Sequence, residues 1–153
     1  MCTTEGETLA YALLSARDLC DAELASADLM GADLRSASLC RALLDHADLS
    51  FADLTAARLS SAQLRETALK CAEMTLSDLR GADLSGADLS GADLFGADLS
   101  EALLTDANLS GADLASAQVE GAHFLRTRYD RHTRWPEGFD VRRSGALSVD
   151  VTE

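Results

Sequence analysis

The sequence lacks the features that mark membrane and secreted proteins. No run of about 18 apolar residues occurs, so we expect no membrane-spanning helix. Residues 1–8 are polar and have neither the basic start nor the apolar core of a signal peptide, and we expect a cytoplasmic protein. Proline occurs once, at Pro136, and aromatic residues make up only 5% of the 153 positions. A chain of this length with 47% hydrophobic residues predicts one domain.

Catalytic and metal-binding motifs are also missing. The three histidines are scattered, and none pairs with a cysteine or serine in a nucleophile motif. No glycine-rich phosphate loop of the Walker or Rossmann type is present. The four cysteines form no C-x-x-C pair and have no zinc-ligand spacing. We therefore expect a protein that is not an enzyme and has no cofactor and no metal site.

Positive charge is scarce and unevenly distributed. The formal net charge is −13, and residues 81–125 contain eight acidic residues and no basic one. Direct binding to nucleic acid requires a basic surface that contacts phosphates. The composition therefore argues against a nucleic-acid ligand and favours a basic protein partner.

A leucine, or a residue that replaces it, recurs every fifth position from Leu9 to Tyr129 without a slip. Alanine usually lies two positions before it and an acidic residue one position before it. A helix needs a period of about 3.6 and a strand a period of about 2, so this period fits neither. A chain that turns a corner after each five-residue unit points every leucine and alanine inward, and four such sides close a square coil of twenty residues.

The square predicts the dimensions and the domain boundaries. Residues twenty apart stack on one face, one strand spacing of about 4.8 Å apart, and about six coils form a rod roughly 30 Å long. We expect a flexible N-terminus over residues 1–8, a solenoid over residues 9–130 and a C-terminal cap and tail over residues 131–153. Glycine at the corners eases the tight turns, as at the following positions: Gly31, Gly81, Gly86, Gly91, Gly96, Gly111 and Gly121.

Residues 82–86, 87–91 and 92–96 read Ala-Asp-Leu-Ser-Gly, Ala-Asp-Leu-Ser-Gly and Ala-Asp-Leu-Phe-Gly. These units resemble the A-(D/N)-L-x-x unit of the pentapeptide-repeat family, and the resemblance covers roughly residues 8–130. It implies an all-β fold, a right-handed quadrilateral β-helix. No loop insertion interrupts the register, so the chain is similar to the loop-free members.

Four residues depart from alanine at the inward position: Arg17, Thr67, Ser77 and Thr127. Threonine and serine can fit there with a local hydrogen bond. An unpaired arginine is costly to bury, so we expect the first coil to be irregular or open around Arg17.

The C-terminal end predicts a cap. Core residues grow larger there, and a last coil must cover its apolar cross-section and its unpaired edge. The predicted aromatic cap, which is also the candidate dimer contact, consists of Phe124, Tyr129, Trp135 and Phe139. Beyond it, Leu147, Val149 and Val151 alternate with polar residues, which predicts a short strand that pairs with the last coil or with a second subunit.

The outward residues supply the functional hypothesis. One acidic column spans about 20 Å at the strand spacing, and its members are Asp33, Asp53, Glu73, Asp93 and Asp113. The family resemblance implies an acidic DNA mimic that binds DNA gyrase or topoisomerase IV, in antibiotic or toxin self-resistance, and a homodimer joined at the C-terminal ends would lengthen the rod. The alternative is a general interaction scaffold, or a structural protein, with an unrelated partner.

Two further surface features leave alternatives open. Phe95 should face outward near Thr75 and Ala115, as an apolar anchor for a partner or as an isolated exposed residue. Cys20 and Cys40 should stack on one outer face within the disulfide range, as two reduced thiols or as a disulfide.

Overall fold

The computed structural model of the protein describes residues 8–150. The predicted flexible segment, residues 1–8, therefore lies outside the described residues except for Thr8, whose backbone bridges to that of Asp28. Val151, the last residue of the predicted tail strand, also lies outside them.

The chain forms a solenoid of parallel β-bridges. Over residues 8–128, each five-residue unit contributes one bridge to the residue twenty positions later. Backbone hydrogen bonds flank each bridge in both directions. The N–H of Leu34 donates to the carbonyl of Asp53 at 2.8 Å, and the N–H of Asp53 donates to the carbonyl of Ala32 at 3.0 Å. Twenty residues therefore make one coil with four sides, and stacked coils satisfy one another's backbone groups.

The interior contains one leucine and one alanine from each unit. From Leu29 to Leu114 the central residues, including Met74, are completely buried, and the alanines two positions before them are 0–2% exposed. Burying a leucine side chain contributes about 2 kcal/mol. The predicted inward direction of these two positions is confirmed, and the other three positions of each unit face solvent or the corners.

Arg17 does not disturb the first coil, residues 8–27. Its N–H donates to Leu14 at 3.2 Å, its carbonyl accepts from Ser38 at 2.9 Å, and its side chain is exposed. The expectation of an irregular coil is therefore wrong for the backbone. The coil is open only because no described residues cover its outer side, which leaves Leu14 and Leu19 half-buried.

Every corner is a tight turn with a left-handed residue. In the unit around Leu54, the N–H of Ala57 donates to the Leu54 carbonyl at 2.9 Å, and Ala56 between them has a φ of +56°. One positive φ at the third residue is the mark of a type II turn. Glycine supplies it at seven corners between residues 11 and 126, but seventeen others carry a side chain. Those corners tolerate strain because hydrogen bonds to the next coil fix them.

The register shifts by one residue near the C-terminus. Asp113 bridges to Arg134, twenty-one positions away, and the N–H of Leu114 donates to the Arg134 carbonyl at 2.7 Å. Trp135 therefore occupies the central position that leucine holds elsewhere. One extra residue after Tyr129 carries the repeat past its predicted end at residue 130.

The C-terminal segment contains the longer regular elements. Strand β1 is Arg128–Tyr129, a 3-10 helix spans Val141–Arg143, and strand β2 is Leu147–Ser148. β2 pairs in parallel with β1. Leu147 thus begins a strand, and of the two expected pairings the structure shows the one with the last coil; the strand is shorter than the predicted alternation, since Val149 lies beyond it.

Four aromatic rings, which we call the aromatic cluster, lie together at this end: Phe124, Tyr129, Trp135 and Phe139. The rings of Trp135 and Phe139 stack with centroids 4.9 Å apart, and Phe124 meets both edge-on at 5.3 Å. Trp135 and Phe139 pack against the leucine core.

Candidate protein-binding surface

The five residues of the predicted acidic column form one continuous ladder. Parallel bridges join Asp33 to Asp53, Asp53 to Glu73, Glu73 to Asp93, and Asp93 to Asp113. Successive carboxylates are therefore held about one strand spacing, 4.8 Å, apart on one face of the rod. The structure brings together all five residues that the sequence pattern assigned to this surface.

Each aspartate of the column also holds its own turn. The backbone N–H two residues later donates to Oδ1 of Asp33, Asp53, Asp93 and Asp113 at 2.9–3.2 Å. Asn108 makes the same contact through its amide oxygen at 3.2 Å. The carboxylates are therefore fixed to the backbone by one oxygen, and the charge itself is not needed for the bond.

Arginine neutralises both ends of the column. Arg35 Nη2 lies 2.7 Å from Asp33 Oδ2 and its Nε lies 3.6 Å from Asp53 Oδ2, while Arg134 Nη1 lies 2.6 Å from Asp113 Oδ2. The hydrogen bond from Arg35 lowers the pKa of Asp33 to about 2. In the described part of the chain, the remaining members, Glu73 and Asp93, have no ion pair. The uncompensated charge is therefore at the centre of the column.

Residues 81–125 contain no basic residue, but basic side chains from outside this segment form ion pairs with its acidic residues. Four of its eight acidic residues are paired, with Lys70, Arg80, Arg126 or Arg134, at 2.6–3.7 Å. Within residues 8–150, four have no such partner: Asp83, Asp93, Glu101 and Glu120. Counting charges along this segment therefore overstates the acidity of its surface. The basic residues that pair with its carboxylates lie in neighbouring coils and so outside the segment in sequence.

An exposed apolar pair lies beside Asp93. Phe95 is 43% exposed and Leu76 is 63% exposed. The N–H of Leu76 donates to the Phe95 carbonyl at 3.0 Å, and the Leu76 side chain lies over Gly96, where a Cβ would come within 2.9 Å of it. The sequence pattern identified Phe95 but missed Leu76, since any residue type occurs at the corner position. A leucine at a corner is unusual in this chain, and that departure could have identified Leu76 from the sequence.

A second column has a different character. Bridges join Leu43, Gln63, Asp83 and Leu103 in that order, as the twenty-residue spacing predicted. Leu103 is 38% exposed, and Leu43 is partly buried. This face presents separated apolar side chains rather than a row of charge.

A metal-binding cluster is not found in the described part of the chain, since no group of three or more histidine, cysteine or acidic side chains is placed there to hold a metal ion. His46 Nδ1 lies 3.4 Å from an oxygen of Glu66, and both side chains are well exposed.

Between residues 8 and 150, no helix is long and apolar enough to cross a membrane.

Comparison with known proteins identifies the repeat. The family profile described as pentapeptide repeats matches in eight copies, over residues 9–44, 22–60, 57–94 and 92–124. Among solved structures, the chain is similar to the pentapeptide repeat protein Rfr23 from the cyanobacterium Cyanothece 51142, with 35% identity and a TM-score of 0.55. That match covers 67% of this chain and 63% of the other, so the chain spans less than two thirds of that protein's length.

Two further structures are similar over part of the chain. A pentapeptide repeat protein from Nostoc PCC 7120 is 38% identical, with a TM-score of 0.47, over 63% of this chain and 84% of that one. Another, from the thylakoid lumen of Arabidopsis thaliana, is 35% identical, with a TM-score of 0.46, over 54% and 60%. No curated protein matches the sequence. The twenty-residue ladder, the buried leucines and the eight matching repeats together show that the chain belongs to the pentapeptide repeat family, whose fold is a right-handed β-helix solenoid.

Proposed function

We propose that the protein is a non-enzymatic, protein-binding solenoid in the cytoplasm, and that it acts as an acidic DNA mimic. In its most specific form, the proposal names DNA gyrase or topoisomerase IV as the partner. The protein would modulate that enzyme or protect it against an antibiotic or a toxin. The acidic column and Phe95 form the contact surface. The observation that carries this proposal is the rigid row of bridged carboxylates with unpaired Glu73 and Asp93 at its centre.

The geometry of the row supports mimicry. The phosphates of one strand of duplex DNA recur about every 3.4 Å along the helix axis, and the carboxylates here recur about every 4.8 Å along the rod. The turn hydrogen bonds hold four of the five carboxylates in place before any partner arrives. A charged surface that is already ordered loses less conformational entropy when it binds.

The apolar pair adds a contact that charge alone does not provide. Aromatic side chains near the centre of an interface often contribute most of the binding free energy. Phe95 follows Asp93 by two residues, so an apolar contact would lie directly beside the unpaired carboxylate. We expect a partner with a basic surface that contains an apolar pocket.

The aromatic cluster is proposed as the C-terminal cap of a rod of about six coils, as the strand spacing suggests. At this end Leu147, in β2, and Val149, just after it, are 52% and 47% exposed. A second copy that covers these side chains would form an end-to-end homodimer and double the length of the acidic row. Sedimentation at several concentrations tests this, and a monomer at the highest concentration would contradict it.

Gyrase supercoiling in the presence of the purified protein tests the partner. Asp33, Asp53, Asp93 and Asp113 should be replaced together by asparagine, because Asn108 shows that an amide keeps the turn bond. The variant should fold as the parent does and lose its effect on the enzyme. A matched control replaces Asp28, Asp48 and Asp88, on another face, by asparagine and should keep the effect.

Three outcomes of this experiment would contradict the proposal or part of it. No inhibition and no protection from a quinolone at micromolar protein would exclude the gyrase proposal. An effect that survives the asparagine variant would exclude these four aspartates as the contact. An effect lost equally in the control would indicate that net charge, and not the column, is responsible.

The alternative is a scaffold for an unrelated protein, in which the exposed Leu76–Phe95 pair, and not the acidic column, supplies the main contact. A double variant, Leu76→Ser with Phe95→Ser, separates the two when it is compared with the asparagine variant, which abolishes binding only under the mimic proposal. Under the scaffold reading it abolishes partner binding, whereas the asparagine variant leaves binding largely intact.

A further inference from the structure

Cys20 and Cys40 occupy the same position in consecutive coils. The N–H of Leu19 donates to the Ser38 carbonyl at 2.7 Å and the N–H of Asp21 donates to the Cys40 carbonyl at 2.9 Å, so hydrogen bonds fix the register on both sides of Cys20. Neighbouring strands are about 4.8 Å apart, within the Cα separation of about 4.4–6.8 Å that disulfides span. The pair is therefore in reach of a disulfide without a change of register.

The surroundings of the two thiols differ. Cys40 is 7% exposed and accepts a hydrogen bond from Ser60 Oγ at 3.4 Å, which lowers the pKa of the Cys40 thiol. Cys20 is more exposed as a residue, but burial of its sulfur and a hydrogen bond with Asp18 raise the pKa of its thiol. An external reagent thus reaches Cys20 first, and the thiolate form is favoured at Cys40, directly beside it.

We propose that Cys20 and Cys40 are a redox modification site that closes a reversible disulfide by exchange with a low-molecular-weight disulfide. The Cys20 thiolate, having lost its proton to solvent, attacks one sulfur of the reagent; a mixed disulfide forms and one small thiolate leaves. The Cys40 thiolate then attacks the Cys20 sulfur, the protein disulfide forms, and the second small thiolate leaves. Two protein thiols are oxidised, and the reagent is reduced to two thiols.

The disulfide would act on the least protected part of the described rod. Leu14 and Leu19 in the first coil are only half-buried, whereas Leu34 and Leu39, one coil later, are completely buried. In a solenoid each coil contacts only its neighbours, so an end coil opens at a lower free energy than an internal one. A link between residues 20 and 40 closes a loop of about 20 residues and restricts the opened state.

The test uses the full chain with Cys2→Ser and Cys71→Ser, so that only the pair remains. The folded protein is incubated with oxidised or reduced glutathione, and free thiols are titrated before peptide mapping by mass spectrometry. We expect an intramolecular Cys20–Cys40 disulfide after oxidation and full recovery of both thiols after reduction. Hydrogen exchange of the Leu14 and Leu19 amides should be at least about tenfold slower in the oxidised form, since the link restricts opening of the first coil.

The matched control adds Cys40→Ser in the same background. Serine fits at this position, because Ser60 occupies it in the next coil. This control should stop at a glutathione adduct on Cys20 and show no slowing of exchange. Two free thiols in the oxidised sample, a stable adduct on Cys20 with Cys40 still free, or a disulfide between two molecules would each overturn the proposal. A disulfide without slower exchange would refute the protection of the first coil.

Discussion

The Thr67 hydroxyl donates a hydrogen bond of 2.9 Å to the Leu44 carbonyl in the preceding coil. Thr127 makes the equivalent bond to Leu104 at 2.7 Å. Ser77 has the same inward position and is 1% exposed, but its hydroxyl has no partner among the described residues. Ser77→Ala should raise the free energy of unfolding by about 1 kcal/mol, because it removes an unpaired buried hydroxyl where alanine fits in other units.

Urea denaturation checks this prediction, and Thr67→Ala provides the matched control. That control loses a satisfied hydrogen bond and should lower the free energy of unfolding by about 1 kcal/mol. Equal destabilisation by the two variants would mean that the Ser77 hydroxyl is bonded after all.

The corners predict a second pair of opposite effects. Gly111 has a φ of +70°, and a Cβ there would meet only Gly91, at 3.9 Å, so Gly111→Ala adds backbone strain without a clash. It should lower the free energy of unfolding by about 1 kcal/mol. Ala56→Gly, at a φ of +56°, should raise it by about 0.5 kcal/mol, because relief of strain exceeds the added freedom of the unfolded chain. Thermal unfolding of both variants measures the difference, and unchanged stability in both would show that the corners are unstrained.

The turn bond of Asp93 predicts that shape matters more than charge at this position. Asp93→Asn keeps an acceptor for the Phe95 N–H and should leave stability nearly unchanged. Asp93→Ala removes the acceptor and should cost about 1 kcal/mol of unfolding free energy. Ala68, at the equivalent position of another column, shows that alanine is compatible with the fold. Similar losses in both variants, in urea denaturation, would assign the effect to charge.

The pairing of Asp33 with Arg35 predicts a pH dependence. The folded pKa of Asp33, about 2, lies below the ordinary value of 3.8, so ionised Asp33 stabilises the fold above pH 4. That contribution is lost as the pH falls through about 2. Arg35→Gln should raise the pKa of Asp33 towards its ordinary value, and acid unfolding should begin at a higher pH. Carboxyl titration by NMR measures this directly, with Arg41→Gln, whose partner is Asp21, as the control that leaves Asp33 unchanged.

The period of five predicted the columns and the interior correctly for a physical reason. A large apolar side chain at every fifth position has one solution in which all are buried, and that solution also sets which outward residues stack. The sequence alone therefore places Asp33 and Asp113 on one face. The partners of those residues were not predictable, since Arg35 and Arg134 reach them through side-chain rotamers that a repeat does not specify.

Other features were hidden by the same regularity. An aspartate before each leucine is compatible with simple solvation, so the turn bonds were not expected. One extra residue after Tyr129 moves Trp135 one position away from the five-residue spacing. The repeat therefore ends after Tyr129 in the sequence pattern, although one more unit follows in the structure. Of the two outcomes expected around Arg17, the first coil is open but its backbone is regular, because the arginine side chain reaches solvent while the backbone hydrogen bonds to the next coil are kept.

A repeat of a single unit does not by itself limit the number of coils, because each coil presents the same row of unpaired backbone groups to the next. β2 occupies that row at the last coil, where Leu147 and Val149 donate to the Thr127 and Tyr129 carbonyls at 2.8 Å. The shifted register at Arg134 breaks the pattern that a further coil would have to copy. A single inserted residue and one short strand thus act together as a stop signal for an otherwise open-ended polymer of pentapeptides.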